Sequence, residues 1–190
     1  MKDSNDKKNR ILKATLKLIT TRGFHGTPVS MMAEEAGVGI GTIYRYFNDK
    51  ETIINELYGI IQEELHQATM KGVPEDVSVR DEFYIKWRNI LMYFLDNPDE
   101  ASFIEQYSAS PFISRESIDE SNRRNRHLKD LIARGISTGQ IRRVDYNTIT
   151  VYMWGTVKQL HHLHTTGSIK VTDDIIDDIY SVFWEGIRKR

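Results

Sequence analysis

The chain has 190 residues, 39% hydrophobic and 28% charged, as expected of one or two ordinary globular domains. There is no cysteine, no apolar run near the roughly 18 to 20 residues of a membrane helix, and no apolar signal core in the polar stretch Met1 to Arg10. These absences exclude disulfides, thiolate chemistry and a membrane partner, and point to a cytoplasmic location. The net charge of −1 hides an asymmetry: residues 1–50 carry nine Lys and Arg against five acids, so a basic head precedes an acidic body, as suits a head that meets a polyanion.

In chain order, residues 8–22 read as a first helix, with Ile11, Leu12, Thr15, Leu16, Leu18 and Ile19 as its apolar stripe and Gly23 as its stop. Phe24 should plug a small core beneath the next two helices. Thr27 to Gly37 reads as a short helix, with Thr27 as N-cap, Pro28 in the first helical position and Gly37 at the end. Val38 to Phe47 reads as a turn and a second short helix. At about 100° per residue, Ile43 and Phe47 share one side of that helix, while Gly41 and Arg45 lie opposite and Thr42 and Tyr44 flank them. The inward side anchors the helix. The outward side offers a bare backbone, a hydroxyl, a guanidinium and the phenols of Tyr44 and Tyr46, which suit phosphates and base edges. A plain amphipathic connector would carry the same stripe.

Asn48 and Asp49 cap a long helix from Lys50 to about Lys71, with Ile53, Ile54, Leu57, Tyr58, Ile61 and Leu65 as its stripe and Gly72 and Pro74 as its end. Next come a helix from about Val77 to Asp96, a shorter one from Pro98, and a loop over Ser108 to Pro111. A helix from about Ser114 to Thr138 ends at Gly139, and its basic run Arg123 to His127 is either a solvated face or a second polyanion site. Asp145 should cap a helix over 145–166, and Thr172 or Asp173 one over 173–188. The expected fold is all-α, about nine helices: a three-helix head with a helix-turn-helix over 1–48, and a helical body over 49–190.

The segment TPVSMMAEEAGVGIGTIYRYFNDKETI resembles the DNA-binding segment of the TetR/AcrR family of bacterial repressors. The match runs through Thr27, Ala33, Ala36, Gly37, Val38, Gly41, Thr42, Ile43, Tyr44, Tyr46, Phe47, Lys50 and Glu51. The resemblance implies that Thr27, Thr42, Tyr44, Tyr46 and Lys50 contact phosphates. It leaves Ile40, Gly41 and Arg45 for base readout, with Ser30 as a further polar candidate; Arg45 could fork to a guanine. Ile40 departs from the family's frequent polar or basic residue, so thymine methyls and DNA shape would carry more of the readout.

The same resemblance implies a small-molecule pocket in the body and a dimer through the last two helices. Leu57, Ile61, Phe83, Trp87, Ile90, Phe94, Phe103, Tyr107, Phe112 and Trp154 are candidate pocket linings for a lipophilic or aromatic effector, and each would serve equally in plain core packing. Ile149, Met153, Thr156, Leu160, Ile176, Tyr180, Phe183 and Ile187 are the candidate dimer interface, which implies a near-palindromic double-stranded operator. His161 and His164 sit three apart, but no further ligand lies at metal-like spacing, so no metal and no cofactor are expected. No catalytic motif is present, and the chain is not expected to be an enzyme. The expected function is a homodimeric repressor released by a small-molecule effector; the alternatives are control by a protein partner or by a co-repressor ligand.

Overall fold

The computed structural model describes residues 2–108 and 110–189. Of the expected loop Ser108 to Pro111, Ala109 lies outside them. The described residues form ten helices: α1 (Lys2–Arg22), α2 (Val29–Glu35), α3 (Ile40–Tyr46), α4 (Lys50–Met70), α5 (Val79–Asp96), α6 (Pro98–Ser108), α7 (Arg115–Arg124), α8 (Arg126–Ser137), α9 (Tyr146–Thr165) and α10 (Asp173–Ile187). The tenth arises because the helix expected over 114–138 is two, parted at Asn125. α7 buries no side chain, whereas α8 buries Leu128, Leu131, Ile132 and Gly135. The break separates a solvated helix from a packed one.

The chain divides into two compact units, Met1–Glu63 with Asp99–Ser121, and Glu64–Pro98 with Asn122–Arg190. In the first, Ile11 and Ile19 of α1, Met32 of α2, Ile43 of α3, Phe47, and Ile53 and Ile54 of α4 form one buried core. Burial of this kind is the main source of stability for helices as short as α2 and α3, which would not persist alone. Lys8 pins the start of the unit, pairing with Glu56 at 2.5 Å and lying over the Phe47 ring at 5.5 Å. Phe24, expected beneath the next two helices, is buried with its ring 5.8 Å from Phe103 of α6 and 5.6 Å from Phe112 beyond it. Asp49 caps α4 through the Thr52 amide at 2.7 Å.

The second unit is built around α5. Phe83, Trp87, Leu91 and Phe94 are fully buried there. The Trp87 indole donates to Thr156 of α9 at 3.2 Å, and the Tyr180 hydroxyl of α10 donates to the Arg80 carbonyl at 2.5 Å. Buried aromatics thus have their polar ends satisfied. Lys86 is almost fully buried but paired with Glu82 at 2.6 Å, and Glu82 also pairs with Arg134. Asp145 and Thr172 cap α9 and α10. Gly135 lets Ile141 close on α8: a Cβ there would lie 2.5 Å from the Ile141 Cδ1.

Candidate nucleic-acid interface and dimer face

The turn between α2 and α3 is set by Gly37. Its φ is +62°, its amide bonds to the Glu34 carbonyl at 3.0 Å, and the Val38 amide bonds to the Ala33 carbonyl at 2.9 Å. This is the Schellman arrangement, which needs a residue at ease in the left-handed region. Arg10 of α1 completes it. Its guanidinium donates to the carbonyls of Ala36 and Gly37, placing a cation at the C-terminal end of α2. Arg10 counts toward the basic head, but its place is structural, and no local pattern pairs residues so far apart in sequence.

Thr27 does not cap α2. The helix starts at Val29, with Pro28 in the cap position and no side-chain cap bond. Thr27 is fully buried, and its hydroxyl donates to the Gly23 carbonyl at 2.9 Å. No atom of Thr27 is exposed to meet the phosphate expected there.

α3 presents the face that its wheel predicts. Ile43 and Phe47 point inward, while Ile40 is 48% exposed and Tyr44 54%. Tyr44 is therefore no part of the core. Ser30, Gly41 and Arg45 are exposed, and Thr42 and Tyr46 are half-buried. Lys50 behaves differently: its ammonium donates to the Phe24 carbonyl and lies 5.6 Å from the centre of the Phe112 ring. Burial holds its pKa below the usual lysine value. Lys50 thus has an internal task that its position in the motif did not reveal.

In the second unit, α9 and α10 line an apolar groove of about 730 Å³. Its walls include Tyr152, Gly155, Ile179, Val182 and Gly186, and Ile149, Thr156, Leu160, Phe183 and Ile187 also line it. Met153, Ile176 and Tyr180 are buried and do not line it. Five of the eight residues expected at the dimer interface thus line this groove, and the other three face the protomer's own core. Val182 at 76% exposure and Tyr152 at 64% stand outward instead.

Of the candidate pocket residues, Leu57, Ile61, Phe103, Tyr107 and Phe112 belong to the first unit, and Phe83, Trp87, Ile90, Phe94 and Trp154 to the second. All are buried except Phe112 and Trp154, which are half-buried. His161 is buried edge-on to Phe94, and His164 accepts from the Val171 amide at 3.3 Å. Among the described residues no group of three His, Cys, Asp or Glu could hold a metal, and no helix is long and apolar enough to cross a membrane.

Two short helices joined at a glycine-locked turn, with a polar and aromatic face outward, define a helix-turn-helix DNA-binding protein. Known proteins agree. The profile of bacterial regulatory proteins of the tetR family matches residues 11–57, and that of the tetracyclin repressor-like C-terminal domain matches residues 58–189. The chain belongs to the TetR family of bacterial transcriptional regulators. Members of this family are transcriptional regulators that bind DNA operators and dimerise, and ligand-responsive repression is their norm. An uncharacterised HTH-type transcriptional regulator of Haemophilus influenzae is 26% identical over 106 residues, 56% of this chain and 57% of its own length. A fatty acid metabolism regulator protein of Bacillus subtilis is 41% identical over 58 residues, 30% of each chain. The chain thus spans little more than half of the first relative and under a third of the second. A TetR family transcription regulator of Marinobacter aquaeolei has the same fold, with a TM-score of 0.92 and 21% identity over 100% of this chain and 99% of that one.

Proposed function

We propose that the protein is a homodimeric repressor that reads a near-palindromic operator with α3 and leaves it when a small lipophilic or aromatic molecule binds the body. The outward face of α3 carries this reading: Ile40, Gly41, Tyr44 and Arg45 are exposed on a helix whose other side is locked into a core. Thr42, Tyr46 and Ser30 add hydroxyls around it, and Lys50 starts the helix that follows α3. Residues 1–48 then serve DNA, and 49–190 serve the effector and the dimer.

A second copy on the α9–α10 groove is supported by its glycines. A Cβ at Gly155 or Gly186 would meet nothing within 4 Å. Glycine inside a helix costs about 0.5–1 kcal/mol against alanine, and nothing in the protomer offsets that cost here. Close approach of a partner helix would.

The aromatic richness of the sequence favours an apolar effector, in a family whose norm is ligand-responsive repression. The fatty acid metabolism regulator matches over only 58 residues, too short a stretch to bear on the effector. Sequencing the genomic fragments retained by the purified protein tests the operator; fragments without a shared two-fold motif would overturn it. A ligand found by thermal-shift screening should then bind more weakly when operator is present, because linkage is reciprocal. A hundredfold effect corresponds to about 2.7 kcal/mol of coupling. Tighter binding on operator would make the ligand a co-repressor.

A further inference from the structure

Phe112 lies in the turn between α6 and α7, far along the chain from the helix-turn-helix, yet its half-buried ring faces the loop that leads into α2. It packs 5.6 Å from the Phe24 ring and 6.1 Å from His25, and the Lys50 ammonium sits 5.6 Å from its centre. That same ammonium donates to the Phe24 carbonyl. Phe24 is therefore gripped at its ring by Phe112 and Phe103 and at its carbonyl by Lys50. Three residues later Thr27 is buried, and α2 begins at Val29. α2, which packs against α3, follows directly from this loop.

The turn that carries Phe112 is itself bolted down. Asn55 of α4 donates to the Phe112 carbonyl at 3.0 Å and to the Glu51 carbonyl at 2.8 Å. Its carbonyl oxygen accepts from the Tyr107 hydroxyl at 2.5 Å, the Ser117 hydroxyl at 2.9 Å and the Ser114 amide at 3.3 Å. One side chain thus holds the end of α6, the turn and the start of α7 against α4. Such a many-partner polar hub fixes a single geometry, since breaking one bond leaves others unsatisfied. A ring facing an ammonium adds a cation–π contact, which strengthens as water is excluded.

We propose that Phe112 is a positioning residue for operator recognition: from the α6–α7 turn it holds Phe24, His25 and Lys50 in the arrangement that aims α2 and α3 at DNA. The proposal rests on the DNA-binding reading and deepens it. It makes the α6–α7 turn a point from which events in residues 99–121 reach the helix-turn-helix, meeting α4 only near its start, at Lys50 and Asn55.

Loss of aim has a different signature from loss of fold. A loosely aimed head still meets phosphates, so binding to any duplex persists, but base contacts are made less often and the preference for the operator falls. A partly unfolded protein loses both in proportion. The full-length protein is therefore titrated with an operator fragment retained by the wild type and with a scrambled duplex of equal length. Phe112→Ala should weaken operator binding by about tenfold or more and change scrambled binding by no more than about twofold, with dimer mass and helical content kept. Phe112→Tyr keeps the ring and should return operator affinity to within about twofold of wild type. Unchanged operator affinity in Phe112→Ala would overturn the proposal, as would equal losses on both duplexes or failure of Phe112→Tyr to rescue. Should Phe112→Ala lose its helical signal, Phe112→Leu keeps the apolar volume without the ring face; a loss confined to operator supports the proposal, and parity with wild type overturns it. A wild-type protein that retains no fragment would instead sink the DNA-binding reading on which this one rests.

Discussion

Two glycines of the helix-turn-helix are there for opposite reasons. A Cβ at Gly37 would be forced into the left-handed region and would lie 2.7 Å from the Arg10 Nη2. Gly37→Ala should therefore destabilise the protein by at least the roughly 1–2 kcal/mol of that backbone strain, read as a lower urea midpoint at unchanged slope. Gly41 has no such constraint: a Cβ there would meet nothing within 4 Å. Within the chain, alanine would be the better helix former by up to about 1 kcal/mol. Its bare backbone makes sense if an outside surface comes close, as a base edge would. Gly41→Ala should hold or raise the melting temperature and weaken operator binding; operator affinity equal to wild type would remove Gly41 from the interface.

Where α4, α5 and α8 meet, the second unit holds a joint that acid should loosen. His66 of α4 and His127 of α8 lie with ring centres 5.2 Å apart, and the Nδ1 atom of each is buried without a hydrogen-bond partner among the described residues. Burial pushes the His127 pKa down to about 4, helped by Lys86 and His66, while Glu82 and Asp130 pull the other way. The unfolded chain then binds a proton that the folded one refuses. Stability should be full above about pH 6.5 and fall as pH drops toward 4, because the unfolded state gains protons in that window. His127→Phe should lose less stability than wild type between pH 7 and pH 5 in paired urea titrations; an identical drop would place the sensitivity elsewhere.

These helices also mark how far the sequence could be read. Periodicity and end signals are local, so the stops at Gly23, Gly72 and Gly139 and the caps at Asp49 and Asp145 were legible. The break at Asn125 was not, since neither glycine nor proline marks it. The outward face of α3 was legible because one helix with two inward anchors has only one outward side. Partners distant in the chain were hidden: Arg10 on the end of α2, Lys50 on the Phe24 carbonyl, Phe112 on the loop before α2. α9 and α10 exposed the same limit. Their stripes were apolar, but apolarity alone does not say whether a residue meets its own core or a second copy.

That distinction decides how the dimer is tested. Phe183 is 4% exposed and packs 5.1 Å from Phe83 inside the protomer. A charge there would be buried and unpaired whether or not a dimer forms, so its effect would report on the fold rather than on assembly. Val182 is the sharper probe, being 76% exposed on the wall of the α9–α10 groove. In a lone protomer Val182→Glu puts a charge in water at little energetic expense, typically within about 0.5 kcal/mol. Against a partner helix brought close by Gly155 and Gly186, the same charge would be desolvated in a largely apolar groove. Light scattering should then give the mass of one chain for Val182→Glu and of two for wild type, at equal helical content. Operator affinity should fall with it, since two recognition helices bridge successive major grooves, about 34–36 Å apart, only when joined. A Val182→Glu protein that remains a dimer would move the interface off this groove, and a monomer that still binds operator as tightly as wild type would separate recognition from two-fold symmetry.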